Sequence, residues 1–139
     1  MTDVDMSVTL NATAEQVWNA IRGFNALPQW HPAVARSEEK REGGKTLRYL
    51  SLHGGGQIIE ELERSDDKLR SYSYKIVDAP LPVAKYRAEL SVRDEGAGRC
   101  RVRWQSTFEP KGAPEGDAIG AIRGVYQAGF ESLKRMFGG

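Results

Sequence analysis

The chain has 139 residues with 20 basic and 19 acidic side chains, and a formal net charge of +1 favours neither nucleic acid nor an anionic membrane as partner. The length predicts one domain, 1–139, and a single cysteine, Cys100, excludes an internal disulfide framework. No apolar run reaches the roughly 18 residues that span a bilayer, and the first ten residues lack the pattern of a signal peptide, which predicts a cytoplasmic protein without membrane insertion.

The first 32 residues predict one strand followed by two short helices. Apolar residues alternate with polar ones, as in a half-buried strand, at Val4, Met6, Val8 and Leu10. Thr13 and Gln16 have the spacing of a capping box, which predicts a helix that ends near Gly23. The inner face of this helix is predicted to carry Val17, Trp18 and Ile21. A second helical turn is predicted over residues 25–30, before Pro32.

Residues 33–112 predict a run of antiparallel strands separated by turns rich in Gly, Pro and Asp. Alternation in the last three strands predicts an inner face made of Tyr72, Tyr74, Ile76, Tyr86, Ala88, Leu90, Val92, Cys100, Val102, Trp104 and Phe108. For the last hairpin we expect Val92 opposite Cys100, which places Glu89 opposite Arg103 on the solvent face.

A long helix is predicted from Pro114 to Phe137. Its apolar residues lie on one face, at Ile119, Ile122, Tyr126, Phe130, Leu133 and Phe137. The same helix contains four glycines, Gly116, Gly120, Gly124 and Gly129, although each interior glycine costs about 1 kcal/mol relative to alanine. Two interpretations are open. The glycines either leave room for a ligand or a close strand, or they allow an ordinary tight crossing against other backbone.

In this order the elements resemble the START-like SRPBCC superfamily, in particular its polyketide cyclase/dehydrase-like branch. The resemblance covers nearly the whole chain and is carried by residues 14–18 (AEQVW), 27–32 (LPQWHP), 44–48 (GKTLR), Glu60-Glu61, Leu81-Pro82 and Trp104. It implies an α+β helix-grip fold, in which a seven-stranded antiparallel sheet wraps around the long C-terminal helix with a hydrophobic cavity between them. Plant abscisic-acid receptors are distantly similar, and their two mobile loops correspond here to residues 53–56 and 79–83.

Glu60 is the first candidate for chemistry. If Gly54, Gly55 and Gly56 close a three-residue hairpin loop, Leu50 faces Glu60, Leu52 faces Ile58, and Arg48 shares their inner face. A two-residue turn would direct Glu61 inward instead; the receptor resemblance favours Glu60. An inward carboxylate could act as a general base or bind a polar group of a ligand, and the alternative is a structural pair with Arg48.

His31 is the second catalytic candidate, since it lies near the expected cavity mouth and a histidine there could shuttle protons. The alternative is a histidine that hydrogen-bonds backbone and shapes a loop. The residues expected to contact a ligand are Trp30, Arg48, Leu50, Leu52, Tyr72, Tyr74, Tyr86, Trp104, Ile122, Tyr126, Gly129 and Phe130. No metal-ligand spacing and no phosphate-binding or nucleophile motif occurs, so neither metal nor cofactor is expected.

Three functions remain open. The leading hypothesis is a module that binds a small hydrophobic molecule, such as a lipid, between sheet and helix. The second is a polyketide cyclase or dehydratase in which Glu60, assisted by His31 or Tyr126, moves protons. The third is a protein-interaction domain with a collapsed cavity, which would use a basic outer sheet face formed by Lys75, Arg87, Arg93, Arg99, Arg101 and Arg103.

Overall fold

The computed structural model describes all 139 residues and contains a single sheet of seven antiparallel strands. In chain order the elements are β1 (Thr2–Leu10), α1 (Ala14–Ile21), a 3-10 helix (Leu27–Gln29), β2 (Val34–Glu42), β3 (Lys45–Leu52), β4 (Gln57–Asp66), β5 (Ser71–Asp78), β6 (Val83–Gly96), β7 (Arg99–Pro110) and α2 (Glu115–Phe137). The strands follow the order β1-β7-β6-β5-β4-β3-β2, so the first strand pairs with the last. The α+β helix-grip architecture that the sequence predicted is confirmed.

Local sequence explains where both helices begin. The Thr13 side chain accepts a hydrogen bond from the backbone N–H of Gln16 at 3.1 Å, and the Gln16 side chain accepts one from the backbone N–H of Thr13 at 2.9 Å. This reciprocal pair is the predicted capping box. At α2, Pro114 stands at the N-cap and Glu115 and Asp117 lie in the first turn, where acidic groups favour the helix.

The core lies between the concave face of the sheet and α2, which packs on β1 and β7. Tyr126 of α2 stacks on Trp104 of β7 with ring centroids 4.3 Å apart. The other buried residues of the helix are Ala118, Ile122, Gly129, Phe130 and Leu133, on the face that the sequence predicted. Neither helix is long and apolar enough to cross a membrane.

The register predicted for the β6–β7 hairpin is wrong by two residues. Val92 lies opposite Val102, and Glu89 lies opposite Gln105. The turn consists of Ala97 and Gly98, whose φ angles of 54° and 73° fit a two-residue hairpin turn. This turn alone would displace the pairing by about three residues, and a bulge between Asp94 and Gly96 reduces the displacement to two. Because the shift is even, each side chain stays on its predicted face.

The β3–β4 hairpin differs from its prediction in the same way. Leu50 lies opposite Ile58 rather than Glu60, and Arg48 lies opposite Glu60. Leu52 N–H bonds the Gly56 carbonyl, so the loop between this pair has the predicted three residues but consists of 53–55 and begins one residue earlier. The even shift keeps Glu60 on the inner face and Glu61 on the outer one.

The four glycines of α2 form neither a shared space for a ligand nor a tight crossing against other backbone. Gly116, Gly120 and Gly124 are exposed, and a side-chain carbon built on any of them would meet nothing within 4 Å. Only Gly129 is buried at a close approach, where such a carbon would lie 3.0 Å from Trp104 Cζ3. The approach is to side chains and not to strand backbone, and it leaves no space for a ligand.

The outer face of the sheet carries mixed charge rather than a free basic cluster. Arg103 pairs with Asp5 at 2.5 Å, and Arg87 lies 3.3 Å from Glu63. Arg101 and Lys75 likewise have carboxylate neighbours, Glu95 and Glu61. Such exposed pairs contribute little to stability, and they balance four of the six predicted basic side chains, whereas Arg93 and Arg99 have no carboxylate partner.

Candidate functional site

A cavity of about 130 Å³ lies between α2 and the end of the sheet formed by β3, β4 and β5. Its wall is mostly apolar. The lining residues are Leu27, His31, Ala33, Val34, Arg48, Leu50, Leu52, Ile58, Glu60, Tyr74, Ile76, Leu81, Tyr86, Trp104, Ile122 and Val125. Protein interiors are normally close-packed, so a space of this size inside the fold needs an explanation.

Arg48 and Glu60 form the charged part of the wall. Their direct opposition across β3 and β4 places Arg48 Nε 2.8 Å from Glu60 Oε1, and Arg48 Nη2 lies 2.7 Å from the same oxygen. Both side chains are almost completely buried, at 1% and 7% exposure. Nη2 nevertheless has no aligned acceptor, and no protein group donates to Glu60 Oε2. The pair is therefore joined through one carboxylate oxygen, with Nη2 enclosed by protein and Oε2 left without a donor.

Aromatic rings and a backbone carbonyl hold the Arg48 guanidinium in place. Arg48 Nη1 donates to the Phe24 carbonyl at 2.6 Å, and the guanidinium carbon lies 4.1 Å from the Phe24 ring centroid. The Tyr74 and Tyr72 rings lie 5.0 Å and 5.7 Å away. Contacts of this kind attract a desolvated cation. Burial by itself would lower the pKa of Arg48, but Glu60 and the two tyrosines together raise the pKa above its ordinary value, so Arg48 stays charged.

Two features of the environment of Glu60 have opposite effects on its pKa. Burial raises the pKa of its carboxyl group above the ordinary value, and the Arg48 guanidinium limits that rise. A carboxylate in this position can accept a hydrogen bond from a guest through Oε2 or take up a proton there.

His31 has both ring nitrogens occupied. Nδ1 accepts a hydrogen bond from the backbone N–H of Ala33 at 3.2 Å, so Nε2 must carry the proton and donate to the Val125 carbonyl at 2.8 Å. Burial lowers the pKa of His31, and the nearby charge of Arg48 lowers it further. The imidazole is thus held neutral in one tautomer and joins the segment before β2 to α2. This arrangement matches the structural alternative for His31.

The tyrosines form a second polar group beside the cavity. Trp104 Nε1 donates to the Tyr74 hydroxyl at 3.0 Å, and the Tyr86 and Tyr126 hydroxyls share a short hydrogen bond. Burial raises the pKa of all three tyrosines, so they remain protonated at neutral pH. They can donate hydrogen bonds but cannot act as bases.

The structure brings nine of the predicted site residues to the cavity wall, namely His31, Arg48, Leu50, Leu52, Glu60, Tyr74, Tyr86, Trp104 and Ile122. The other five predicted residues, Trp30, Tyr72, Tyr126, Gly129 and Phe130, are buried but do not line it. Trp30 and Phe130 pack against Trp104, and Tyr72 packs on Phe24, so these side chains fill the core behind the wall.

Seven lining residues were not among the predicted ligand contacts: Ile58, Ile76 and Leu81, and also four for which no inward position was predicted, Leu27, Ala33, Val34 and Val125. Val125 follows Ile122 by three positions, so helical spacing could have indicated it. Leu27, Ala33 and Val34 lie in and after the 3-10 helix, where no periodic pattern shows which side chains turn inward.

The two loops compared above with receptor loops meet beside the cavity. A side-chain carbon built on Gly56 would lie 3.5 Å from Pro80 Cγ, so the loop of residues 53–56 lies beside the loop of residues 79–82. Leu52 and Leu81, which flank this contact, both line the cavity. His53 is exposed, and its backbone N–H bonds the Ala33 carbonyl at 3.1 Å. Nowhere in the chain do three His, Cys, Asp or Glu side chains gather to hold a metal ion.

Comparison with known proteins agrees with this geometry. A family model described as polyketide cyclase / dehydrase and lipid transport matches residues 1–138. The structure of XoxI from Bacillus cereus is 36% identical with a TM-score of 0.92, covering 99% of this chain and 96% of that one. No curated protein sequence matches the chain.

More distant structures share the fold alone. A START superfamily protein from Mycobacterium smegmatis is 15% identical, with a TM-score of 0.79 and coverage of 97% and 96%. The Zhui aromatase/cyclase from Streptomyces sp. R1128 is 16% identical, with a TM-score of 0.77 and coverage of 97% and 92%. The chain therefore belongs to the polyketide cyclase / dehydrase and lipid transport family and has the START-like fold of the SRPBCC superfamily.

Proposed function

We propose that this protein binds a small, largely apolar molecule in the cavity between the sheet and α2. The observation that carries the proposal is the cavity itself, a mostly apolar space of about 130 Å³ inside an otherwise packed core. An apolar wall favours an apolar guest over water, which gains few hydrogen bonds along it, and only the Arg48–Glu60 end of this wall is charged. The lipid-transport part of the family description supports the same reading.

The volume limits the guest. An engineered apolar cavity of about 150 Å³ in another protein accepts benzene, whereas sites for drug-sized ligands usually measure about 300–1,000 Å³. A cavity of about 130 Å³ thus suits a guest of about one ring. A larger guest would require the neighbouring loops at Gly56 and Pro80 to move apart.

The cyclase or dehydratase function is the second candidate, and Glu60 is the observation in its favour. Its free Oε2 and raised pKa suit a general base. Binding is favoured because Glu60 is tied to Arg48, while His31 has both nitrogens engaged and offers no proton relay. The collapsed-cavity interaction domain receives the least support, since a cavity is present and four of the six basic residues on the outer face are paired with carboxylates.

A matched pair of variants tests ligand binding. Leu50→Phe places a larger side chain in the cavity wall, whereas Leu47→Phe makes the same change on the opposite face of β3. Overpacking costs about 1–3 kcal/mol in a full core, and less where a cavity receives the ring, so both variants should fold. Folding is checked by circular dichroism.

Toluene is the probe, and binding is followed by ligand-observed saturation-transfer NMR. We expect the natural protein and Leu47→Phe to bind toluene and the folded Leu50→Phe variant to lose it. Absence of binding to the natural protein up to the solubility limit would refute the proposal, as would equal binding by Leu50→Phe.

A further inference from the structure

The cavity wall contains one charged group whose unused hydrogen-bonding capacity a guest can reach. Glu60 Oε2 receives no donor from the protein, whereas Arg48 Nη2 lacks an aligned acceptor but is enclosed by protein. Leaving a carboxylate oxygen unpaired in a buried site costs free energy that a bound partner can recover. A neutral group that donates to Oε2 would satisfy this acceptor.

The neighbouring polar groups leave little else for a guest to satisfy. His31 is fully engaged with backbone, and Tyr86 is bonded to Tyr126. The Tyr74 hydroxyl accepts from Trp104 Nε1 and keeps its own proton free as a donor. The wall thus offers a donor at Tyr74 and one free acceptor at Glu60. A hydroxyl oxygen, with two lone pairs and one proton, has the matching combination.

The charges of the wall favour a neutral guest. Arg48 and Glu60 compensate each other, and the remaining lining residues are uncharged, since His31 is held neutral. A carboxylate in the cavity would face Glu60 without a free cation, and an ammonium group would face Arg48 without a free anion. Either charge would be buried uncompensated, which is strongly unfavourable.

We infer that the ligand is a neutral monocyclic alcohol or phenol whose hydroxyl group donates to Glu60 Oε2 while its ring fills the apolar part of the cavity. The inference rests on the proposed binding function and adds the chemical class of the guest. The ring is the size of guest that about 130 Å³ accommodates.

Four probes of similar size separate the two proposals: toluene, phenol, benzoate and benzylamine, measured at pH 7 by isothermal titration calorimetry. A hydrogen bond to a charged group adds enough stability that phenol should bind at least about tenfold more tightly than toluene. Benzoate and benzylamine should bind more weakly than toluene. If none of the four binds, the binding function itself is refuted. If toluene binds and phenol gains nothing, only the hydroxyl inference is overturned.

A second test asks whether Glu60 sets the order in which the four probes bind, which a purely structural role for Glu60 does not predict. Glu60→Gln removes the negative charge and leaves Arg48 without its counter-ion, so benzoate should bind more tightly than phenol in this variant. Glu61→Gln is the matched control, because Glu61 neighbours Glu60 on the opposite face, and it should keep the natural order of affinities. An unchanged order in folded Glu60→Gln would contradict the inference; if this variant does not fold, the four-probe series on the natural protein decides.

Discussion

Replacing Arg48 by methionine should destabilise the fold strongly, because it leaves Glu60 as a buried carboxylate without a counter-ion. The buried carboxylate can lose its charge only by taking up a proton. Protonating at pH 7 a group with an ordinary pKa of 4.5 costs about 3.4 kcal/mol, at 1.36 kcal/mol per pKa unit. The Phe24 carbonyl also loses its donor. We therefore expect a loss of about 3–5 kcal/mol, a large share of the roughly 5–15 kcal/mol typical of a domain.

The loss should depend on pH in a defined direction. In Arg48→Met the folded-state pKa of Glu60 lies far above its unfolded value, so protonation stabilises the fold at low pH and that contribution disappears as pH rises. Between pH 7 and pH 5 the deficit should shrink by up to about 2.7 kcal/mol. The double variant Arg48→Met with Glu60→Leu should recover much of the loss at pH 7, whereas Glu60→Leu alone should be the least stable, since arginine cannot shed its proton.

Urea unfolding followed by tryptophan fluorescence at pH 7 and pH 5 measures these differences. The exposed pair of Arg103 and Asp5, each about half exposed, is the control. Arg103→Met should cost less than about 1 kcal/mol. The reasoning fails if Arg48→Met stays within about 1 kcal/mol of the natural protein at pH 7, or if the double variant is no more stable than Arg48→Met.

Three further predictions follow from single positions. Gly124→Ala should stabilise the fold by up to about 1 kcal/mol because its surroundings are open, whereas Gly129→Ala should destabilise it because the new carbon meets Trp104 at 3.0 Å. Thermal unfolding compares the two variants, and equal shifts in their melting temperatures would contradict the close packing at Gly129. Burial lowers the pKa of His31, so below pH 6.5 the unfolded chain binds a proton that the folded chain does not. The free energy of unfolding should therefore fall with decreasing pH by up to about 1.4 kcal/mol per pH unit more than in His31→Gln, as measured by urea unfolding. Parallel pH profiles of the two proteins would show that His31 does not contribute. Amides of residues 53–56 should exchange faster than those of the central strands and slow when toluene binds, and exchange as slow as in the strands would refute a mobile entrance.

The inner and outer faces were predictable because strand alternation survives a register error. Both hairpins are displaced by two residues from the predicted pairing, yet Glu60 and Trp104 still point inward, since an even shift preserves the face. The pairing itself depends on φ angles and bulges in the turns, such as the positive φ of 54° at Ala97, a residue type that gives no such signal.

The candidate site was only partly predictable, for a different reason. Periodicity indicates that a side chain is buried, but it does not distinguish a cavity wall from filled core. Tyr72 and Tyr74 lie on the same face of β5, yet only Tyr74 lines the cavity, because Tyr72 packs against Phe24 and Trp18 of the neighbouring segment. The glycines of α2 were misleading as a sign of close packing, because most of them face solvent and contact no other element.

Methyl-resolved NMR during a toluene titration tests the central claim most directly, since it shows where an apolar guest lies. Binding in the cavity predicts chemical-shift changes in the methyl groups of Leu50, Ile58, Ile122 and Val125, which line it, and none at Val8 or Val102, which lie elsewhere in the core. No shifts up to the solubility limit, or shifts spread over surface methyl groups with none among these four, would contradict ligand binding between the sheet and the C-terminal helix.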